Sequence, residues 1–571
     1  MDLTIWNNKE SLEAMSENSS LSDSNLDSVH LAQVPPQDLR QRIVEVLETH
    51  KDRVLISDEN VSWTGAELKS KIASLREIIE LTTKPGTRVG VSFPNSAVAG
   101  LSIIATICSE RVPVIMCHSD LSSEDIAKSS KLSFLMTMSA VSRESLDPAL
   151  PYMMLTPQGE VERMDLKPGR VSWFDELSAK PTEGTGLMLF TSGSTGKPKG
   201  VFIPGAGIVK TADYLADYFN LSTKSVASVI LPIWHSMGLN TQFLPTFFSG
   251  GRSHFMNAHI GMNRAYRTIL NQNGSFVAMI GEVLRTCWEE KNRRNLPSAT
   301  HVEHVQLAGG LITSQHLALA KDLFPNAVIH KGYGLTEAIR VTMINSLDPN
   351  FDSAAVGRPL PFCKVEIRDS EGRSVSTGEM GEVHVTGPNV LLGFSGQSRT
   401  PVGKDGFLGT GDLGYFNHEG QLCIAGRSDS LFKINGHKVS GLEIESLALE
   451  ASEWIRGAKC LAIEDQRRAG QKIVLFLEVP LNDKVDFLSN QLNSIRSTMW
   501  VKFRNLRHFP KEIFVIESFP KTSNGKLSMK SLVEMCTLGT KTLLIENSQT
   551  SLQFYSLVQE QDSNEQPSHA L

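Results

Sequence analysis

Residues 189–200 read Leu-Phe-Thr-Ser-Gly-Ser-Thr-Gly-Lys-Pro-Lys-Gly. Three glycines, four hydroxyl residues and two lysines fall within these twelve positions. Glycines let backbone N–H groups turn inward, Ser and Thr add donors, and Lys adds positive charge, a combination that suits a polyphosphate. The apolar approach Gly186-Leu187-Met188-Leu189-Phe190 reads as a strand leading into the loop, which separates it from a Gly/Ser linker. It is not a P-loop of the NTPase kind. Thr191 stands where the first Gly of that pattern belongs, and Pro198, which lacks an N–H and disrupts a continuing helix, follows Lys197.

Five further segments carry chemistry-bearing types. Trp234-His235 sits beside a Pro turn and a Gly and reads either as a pocket wall or as a packed corner. Gln306-Leu307-Ala308-Gly309-Gly310 ends a strand-like run, and its bare backbone permits close approach of a flat ring. In Lys331-Gly332-Tyr333-Gly334-Leu335-Thr336-Glu337-Ala338, Tyr333 can stack on a base, Thr336 can bond a phosphate oxygen and Glu337 can hold Mg²⁺; the alternative is a Gly-flanked turn with Thr336 capping a helix. Asp412, in Gly409-Thr410-Gly411-Asp412, offers a carboxylate for a diol or an ordinary Asx-turn. Lys526 follows Asn524-Gly525, a hairpin-turn signal.

In this order along the chain, these segments resemble the adenylate-forming enzymes: acyl- and aryl-CoA synthetases, nonribosomal peptide synthetase adenylation domains and luciferases. The acyl-CoA synthetase branch is the nearest. The resemblance spans roughly residues 40 to 535. It implies that Thr191, Ser192, Gly193, Ser194, Thr195, Gly196 and Lys197 form the phosphate loop. It also implies that Gly309, Gly310, Gly332, Tyr333, Gly334 and Thr336 border the nucleotide. Asp412 and Arg427 would hold the ribose, and Glu337 the metal. Lys526 would reach the α-phosphate and the attacking carboxylate, His235 would border the acid and CoA channel, and Lys433 would serve the second half-reaction. Asp429 falls at the implied hinge. The cofactors implied are ATP, Mg²⁺, and CoA or a carrier-protein phosphopantetheine. The implied reaction joins a small carboxylic acid to AMP and passes the acyl group to CoA. The alternative is a stand-alone enzyme that loads a carrier protein. No Asp lies beside Trp234 and His235 to hold an α-ammonium, which speaks against an amino acid.

Composition sets the frame for these residues. The chain has 571 residues, 40% hydrophobic and 21% charged, long enough for more than one soluble globular domain. The net charge is −6 and no basic block suggests nucleic acid, so a polyanion must be held by local lysines and amides. Seven cysteines lie scattered without a CxxC pair, which reads as reduced thiols. The start lacks a signal-peptide core, the longest apolar run (97–108) is too short for a membrane span, and the final His-Ala-Leu does not match Ser-Lys-Leu. A cytoplasmic enzyme is the expectation.

Periodicity places the elements that must carry the site. Apolar residues recur at helical spacing over 39–47 and 66–81. Val89–Phe93 and Val112–Met116 read as strands around a buried helix over Ala97–Cys108. Such alternation predicts an α/β fold: a large N-terminal domain with largely parallel sheets flanked by helices, plus a β-rich subdomain at about 363–425. A small α+β C-terminal domain, mobile by resemblance, follows. The boundaries expected are 1–35 disordered, 36–426 the large domain, 427–540 the small domain with Lys526, and 541–571 a tail.

Overall fold

The computed structural model describes residues 38–117, 130–138, 150–166, 184–192, 198–256, 264–310, 312–397, 401–428, 431–434, 437–452, 455–464, 471–479, 510, 512–520, 527, 529–537, 545–547 and 550–555. The expectation for residues 1–35 lies outside them.

Two large sheets dominate. In the first, the strands Val54–Ser57, Arg252–Phe255, Val226–Val229, Phe276–Met279, His304–Leu307 and Val328–Leu335 lie side by side, all parallel. The second has a parallel centre made of Arg88–Ser92, Val112–Met116, Phe134–Thr137, Tyr152–Leu155 and Thr185–Ser192. Strands buried on both faces read as continuous apolar runs, and Val112–Met116 is buried at every position. Helix Ala97–Cys108 is likewise buried along its whole length, and Ser96 starts it by accepting from the Ala99 N–H at 3.3 Å. Helix Gly65–Thr82 starts with a reciprocal pair: Thr64 Oγ1 accepts from Glu67 N, and the Glu67 carboxylate accepts from Thr64 N at 2.7 Å.

Beyond Val328–Leu335 the first sheet turns antiparallel. Ala338–Asn345 pairs back on it, followed by Ala355–Pro359, Leu422–Arg427, Leu408–Phe416, Gly381–Thr386 and Lys364–Arg368. This is the β-rich stretch expected at 363–425. One core cluster runs from Leu39 in the first described helix to Leu422 in this antiparallel part.

The C-terminal part contains the hairpin Leu431–Ile434/His437–Ser440, helix Gly441–Ala451 and a separate five-stranded sheet. In that sheet Gly457–Glu464, Gln471–Glu478 and Glu512–Ile516 pair in order. The segment expected to be a tail contributes the next strands. Thr550–Tyr555 pairs parallel to Glu512–Ile516, and Ile545–Asn547 pairs with Thr550–Tyr555. The polar end of the sequence conceals the alternation of Leu552 and Phe554, which gives a strand its period. Arg456 Nε bridges to Glu289 Oε1 at 3.1 Å, tying this part to helix Gly281–Arg293.

Candidate active site at the carboxyl ends of the strands

In sheets of this kind, ligands bind beyond the carboxyl ends of parallel strands, where successive connections diverge. Three of the segments singled out by sequence leave their strands at that edge of the first sheet. Leu231–His235 follows Val226–Val229, Gly309 and Gly310 follow His304–Leu307, and Thr336 and Glu337 follow Val328–Leu335. In the second sheet, Thr185–Ser192 pairs antiparallel with Pro198–Pro204, so the phosphate-loop sequence spans a hairpin tip. Thr191 pairs with Lys199 there; Gly193, Ser194, Thr195, Gly196 and Lys197 lie outside the described residues.

Thr336 and Glu337 form the two-residue turn between Val328–Leu335 and Ala338–Asn345, with Leu335 opposite Ala338. No helix starts at Thr336, so the capping alternative does not hold. Residues 338–345 find hydrogen-bond partners on both sides in the sheet, and that pairing decides the element. A short connector then joins the two sheets at this turn. Leu391 N donates to the Glu337 carbonyl at 2.8 Å and Ile339 N to the Asn389 carbonyl at 3.1 Å, while Gly393 and Phe394 pair with Phe202 and Val201. The glutamate of one sheet and the lysine-bearing hairpin of the other are thereby held close enough to interact.

The electrostatics record that approach. Burial raises the Glu337 carboxyl above the ordinary glutamate value of 4.5; the charges of Arg427 and Lys199 oppose the rise and that of Asp412 adds to it. Lys199, whose ammonium lies 5.7 Å from the centre of the Phe394 ring, is the residue the sequence reading left outside the phosphate set. The influence of its charge on Glu337 depends on the connector at 389–394, which no local signal announces.

Asp412 is fixed by the ladder between Leu408–Phe416 and Leu422–Arg427, in which it stands opposite Arg427. Arg427 Nη1 lies 3.2 Å from Oδ1. The Tyr333 hydroxyl donates to Oδ2 at 2.5 Å. Asp412 N donates to Thr410 Oγ1 at 3.1 Å, and Thr410 Oγ1 donates to the Val383 carbonyl at 2.8 Å. Gly411 has φ of 72°, a left-handed turn that aims the carboxylate inward and that a Cβ would strain. Burial drives the Tyr333 hydroxyl well above the ordinary tyrosine range, and the adjacent Asp412 charge pushes it the same way, so it stays a donor. Tyr333, Asp412 and Arg427 thus form one hydrogen-bonded group, and the charges of Asp412, Arg427 and Lys199 act on Glu337.

The remaining candidates are placed as follows. Gly309 and Gly310 are exposed, and a Cβ on Gly309 would sit 3.9 Å from Met237 Sδ. His235 is exposed at the start of the short turn Ser236–Gly238, with its ring 6.4 Å from that of Trp234. Gly332 and Gly334 lie in the Tyr333 strand. Lys433 lies in Leu431–Ile434, where only the backbone is described. Ser192 is likewise described by its backbone alone, and Asp429 and Lys526 lie outside the described residues. Among the described residues no cluster of three metal-binding side chains exists, and no helix is long and apolar enough to cross a membrane.

The indoleacetate–CoA ligase of Aromatoleum aromaticum is 25% identical over 350 residues, 60% of this chain and 65% of its own length. The luciferin 4-monooxygenase of Photuris pensylvanica is 24% identical over 378 residues, 64% of this chain and 66% of its own length. The O-succinylbenzoate coenzyme A synthetase of Bacillus subtilis, solved with ATP and magnesium ion, superposes with a TM-score of 0.69 at 20% identity, covering 85% of this chain and 98% of that one. That likeness shows the fold. The family description "AMP-binding enzyme" matches residues 43–395, well over half of the sequence, and the chain belongs to that family.

Proposed function

We propose that this protein is an ATP- and magnesium-dependent acid–thiol ligase. A carboxylate oxygen of the acid attacks the α-phosphorus of ATP. The bond from that phosphorus to the bridging oxygen breaks, its electron pair leaves with pyrophosphate, and an acyl-AMP forms. The sulfur of CoA then attacks the acyl carbon, the thiol proton is lost, and AMP departs. The observation that supports this most is the hydrogen-bonded trio Tyr333, Asp412 and Arg427, with Glu337 at the turn beyond the Tyr333 strand under the influence of Arg427, Asp412 and Lys199.

Each residue has a task that its chemistry fits. Asp412 can accept both ribose hydroxyls once the Tyr333 and Arg427 contacts yield. Lys199, with the loop 193–197, neutralises phosphate charge. Magnesium is normally held by one or two carboxylates with substrate phosphates completing its shell, so Glu337 alone suffices on the protein side. Glu337 suits that role as a half-buried carboxylate at the turn between Val328–Leu335 and Ala338–Asn345, where a cation would offset the burial of its charge. When bound, the metal offsets charge on the phosphates. Lys526 would bring a second positive charge to the α-phosphate, where two anions must meet. Residues 427–540 would form the small domain that carries Lys526 and, after turning near Asp429, presents Lys433 to the thioester step. Arg427 at that boundary would feel the turn directly. We place the reaction in the cytosol, with CoA as acceptor.

The test is acid-dependent ATP–pyrophosphate exchange over a broad carboxylic acid panel, followed by mass analysis of the product with CoA or a holo-carrier protein. Exchange with acyl-CoA formation supports the proposal. Exchange with loading of the carrier alone replaces CoA by a protein-borne pantetheine. No exchange with any acid removes the adenylation reading.

A further inference from the structure

The hairpin that presents Tyr333 to Asp412 has a second face. Neighbouring residues of a strand point to opposite sides of the sheet, so Gly332 faces away from Tyr333. On that side lies Arg340, only 4% exposed. A Cβ on Gly332 would collide with Arg340 Nη1, so glycine makes the space that the guanidinium occupies.

The surroundings of this guanidinium are polar and uncharged. Thr241 Oγ1 lies 3.4 Å from Nη2, and Thr241 is 2% exposed. The Gln306 amide, fully buried, lies between them: its nitrogen donates to the Thr241 carbonyl at 3.2 Å and its oxygen accepts from Arg340 Nη2. Arg340 Nε has no acceptor. Among the described residues no Asp or Glu forms an ion pair with Arg340. The titratable group acting on it is the Tyr218 phenol, which burial holds neutral. Burial lowers the guanidinium to about 10, so it remains charged at neutral pH.

Burying a guanidinium without a counter-charge is strongly unfavourable unless an anion completes the site. Its planar fork matches a carboxylate. The three segments that meet here also lead to the active site. Thr241 lies in the single π-helical turn Leu239–Phe243 just after Trp234 and His235. Gln306 lies just before Gly309 and Gly310, and Gly332 precedes Tyr333. Turns of that type often mark functional sites.

We propose that the acid activated by this protein carries a second carboxylate, seated on Arg340 while the reacting carboxylate faces the nucleotide. Gln306 and Thr241 act as positioning residues that hold the guanidinium. The inference rests on the adenylation reading and deepens it by naming the substrate class: a dicarboxylic acid, with aliphatic or aromatic spacing between the two groups.

The test compares dicarboxylic acids with isosteres in which one carboxylate is an amide or a methyl group. Pyrophosphate release and the melting shift in the presence of AMP are both measured. Wild-type kcat/KM should favour the dicarboxylate by roughly 30-fold or more. Arg340→Met should abolish that preference and the dicarboxylate-specific melting shift, and Arg340→Lys should retain part of both. The wild-type comparison decides the matter even if the variants fold poorly. Equal or better turnover and binding of the neutral isosteres overturns the inference while adenylation stands. A dicarboxylate-specific melting shift that depends on Arg340, with no pyrophosphate from any acid, removes adenylation and leaves the Arg340 site. No dicarboxylate-specific effect in either readout overturns the inference.

Discussion

The two faces of the hairpin 328–345 hold buried charges in opposite conditions. On the Tyr333 face, Asp412 is fully engaged, with Tyr333 on one oxygen and Arg427 on the other. On the Gly332 face, Arg340 has uncharged amide and hydroxyl neighbours and an Nε without acceptor. A partnered charge is satisfied before any ligand arrives and exchanges contacts when one binds. An unpartnered charge keeps an unmet electrostatic demand that selects the ligand. Under the proposed function, one face would serve the nucleotide and the other the choice of acid.

Variants can break this contrast, and the largest effect should come from neither strand. Lys526→Ala is expected to slow acid-dependent pyrophosphate exchange by about 100- to 1,000-fold, as loss of a charge that acts in the transition state does. Its melting temperature should stay at the wild-type value. Normal exchange in this variant would reassign the lysine.

Asp412→Ala should raise the KM for ATP by about 10- to 100-fold, the loss of hydrogen bonds to a charged group, while the ranking of acids is kept. Arg340→Met should do the reverse, changing the ranking and sparing the KM for ATP. Steady-state kinetics with two acids and varied ATP reads both. A parallel shift of both parameters in either variant would dissolve the distinction between the faces.

A smaller, pH-dependent effect belongs to Glu337. Its carboxyl is raised in the folded protein, so the folded state binds the proton more tightly than the unfolded chain. Stability without ligand should fall as pH rises through that window, above the ordinary value of 4.5. Half-saturating magnesium in the exchange assay should rise as pH falls through the same window, and Glu337→Gln should remove that slope.

The smallest effect concerns a charge on the same strand but outside the site. Lys331 is 3% exposed, donates to the Ser353 carbonyl, and burial lowers its ammonium to about 8 from 10.5. The unfolded chain then holds the proton more tightly, so stability should rise with pH between those values. Lys331→Met should change stability near pH 7 by at most about 3 kcal/mol and flatten that rise, as thermal melts at several pH values would show. Acid ranking and the KM for ATP should not move.

Local signals were enough for elements whose own residues settle their state. The helix Ala97–Cys108 and the strand Val112–Met116 have the bounds their apolar runs announce. The turn at Thr336–Glu337 was ambiguous because a hydroxyl before an acid suits a helix start as well as a hairpin; pairing of 338–345 with its neighbours resolved it. The terminal strands 545–547 and 550–555 were read as a tail because their partner, Glu512–Ile516, lies more than 25 positions earlier. Among candidate site residues, Tyr333, Asp412, Arg427 and Glu337 were named from motifs and stand together. Lys199 was missed because its relation to Glu337 runs through a connector from another part of the chain.

The sequence by itself determined the residue types of the proposed nucleotide site, their order and the parallel strands that carry them, because glycines, hydroxyls and apolar runs act over a few positions. Tertiary structure alone decided which charges are satisfied. Arg340 and Thr241 are 99 positions apart, and whether a guanidinium meets an acid, an amide or nothing depends on how strands from distant segments close around it. Burial removes water as a partner, and only the folded arrangement says what replaces it.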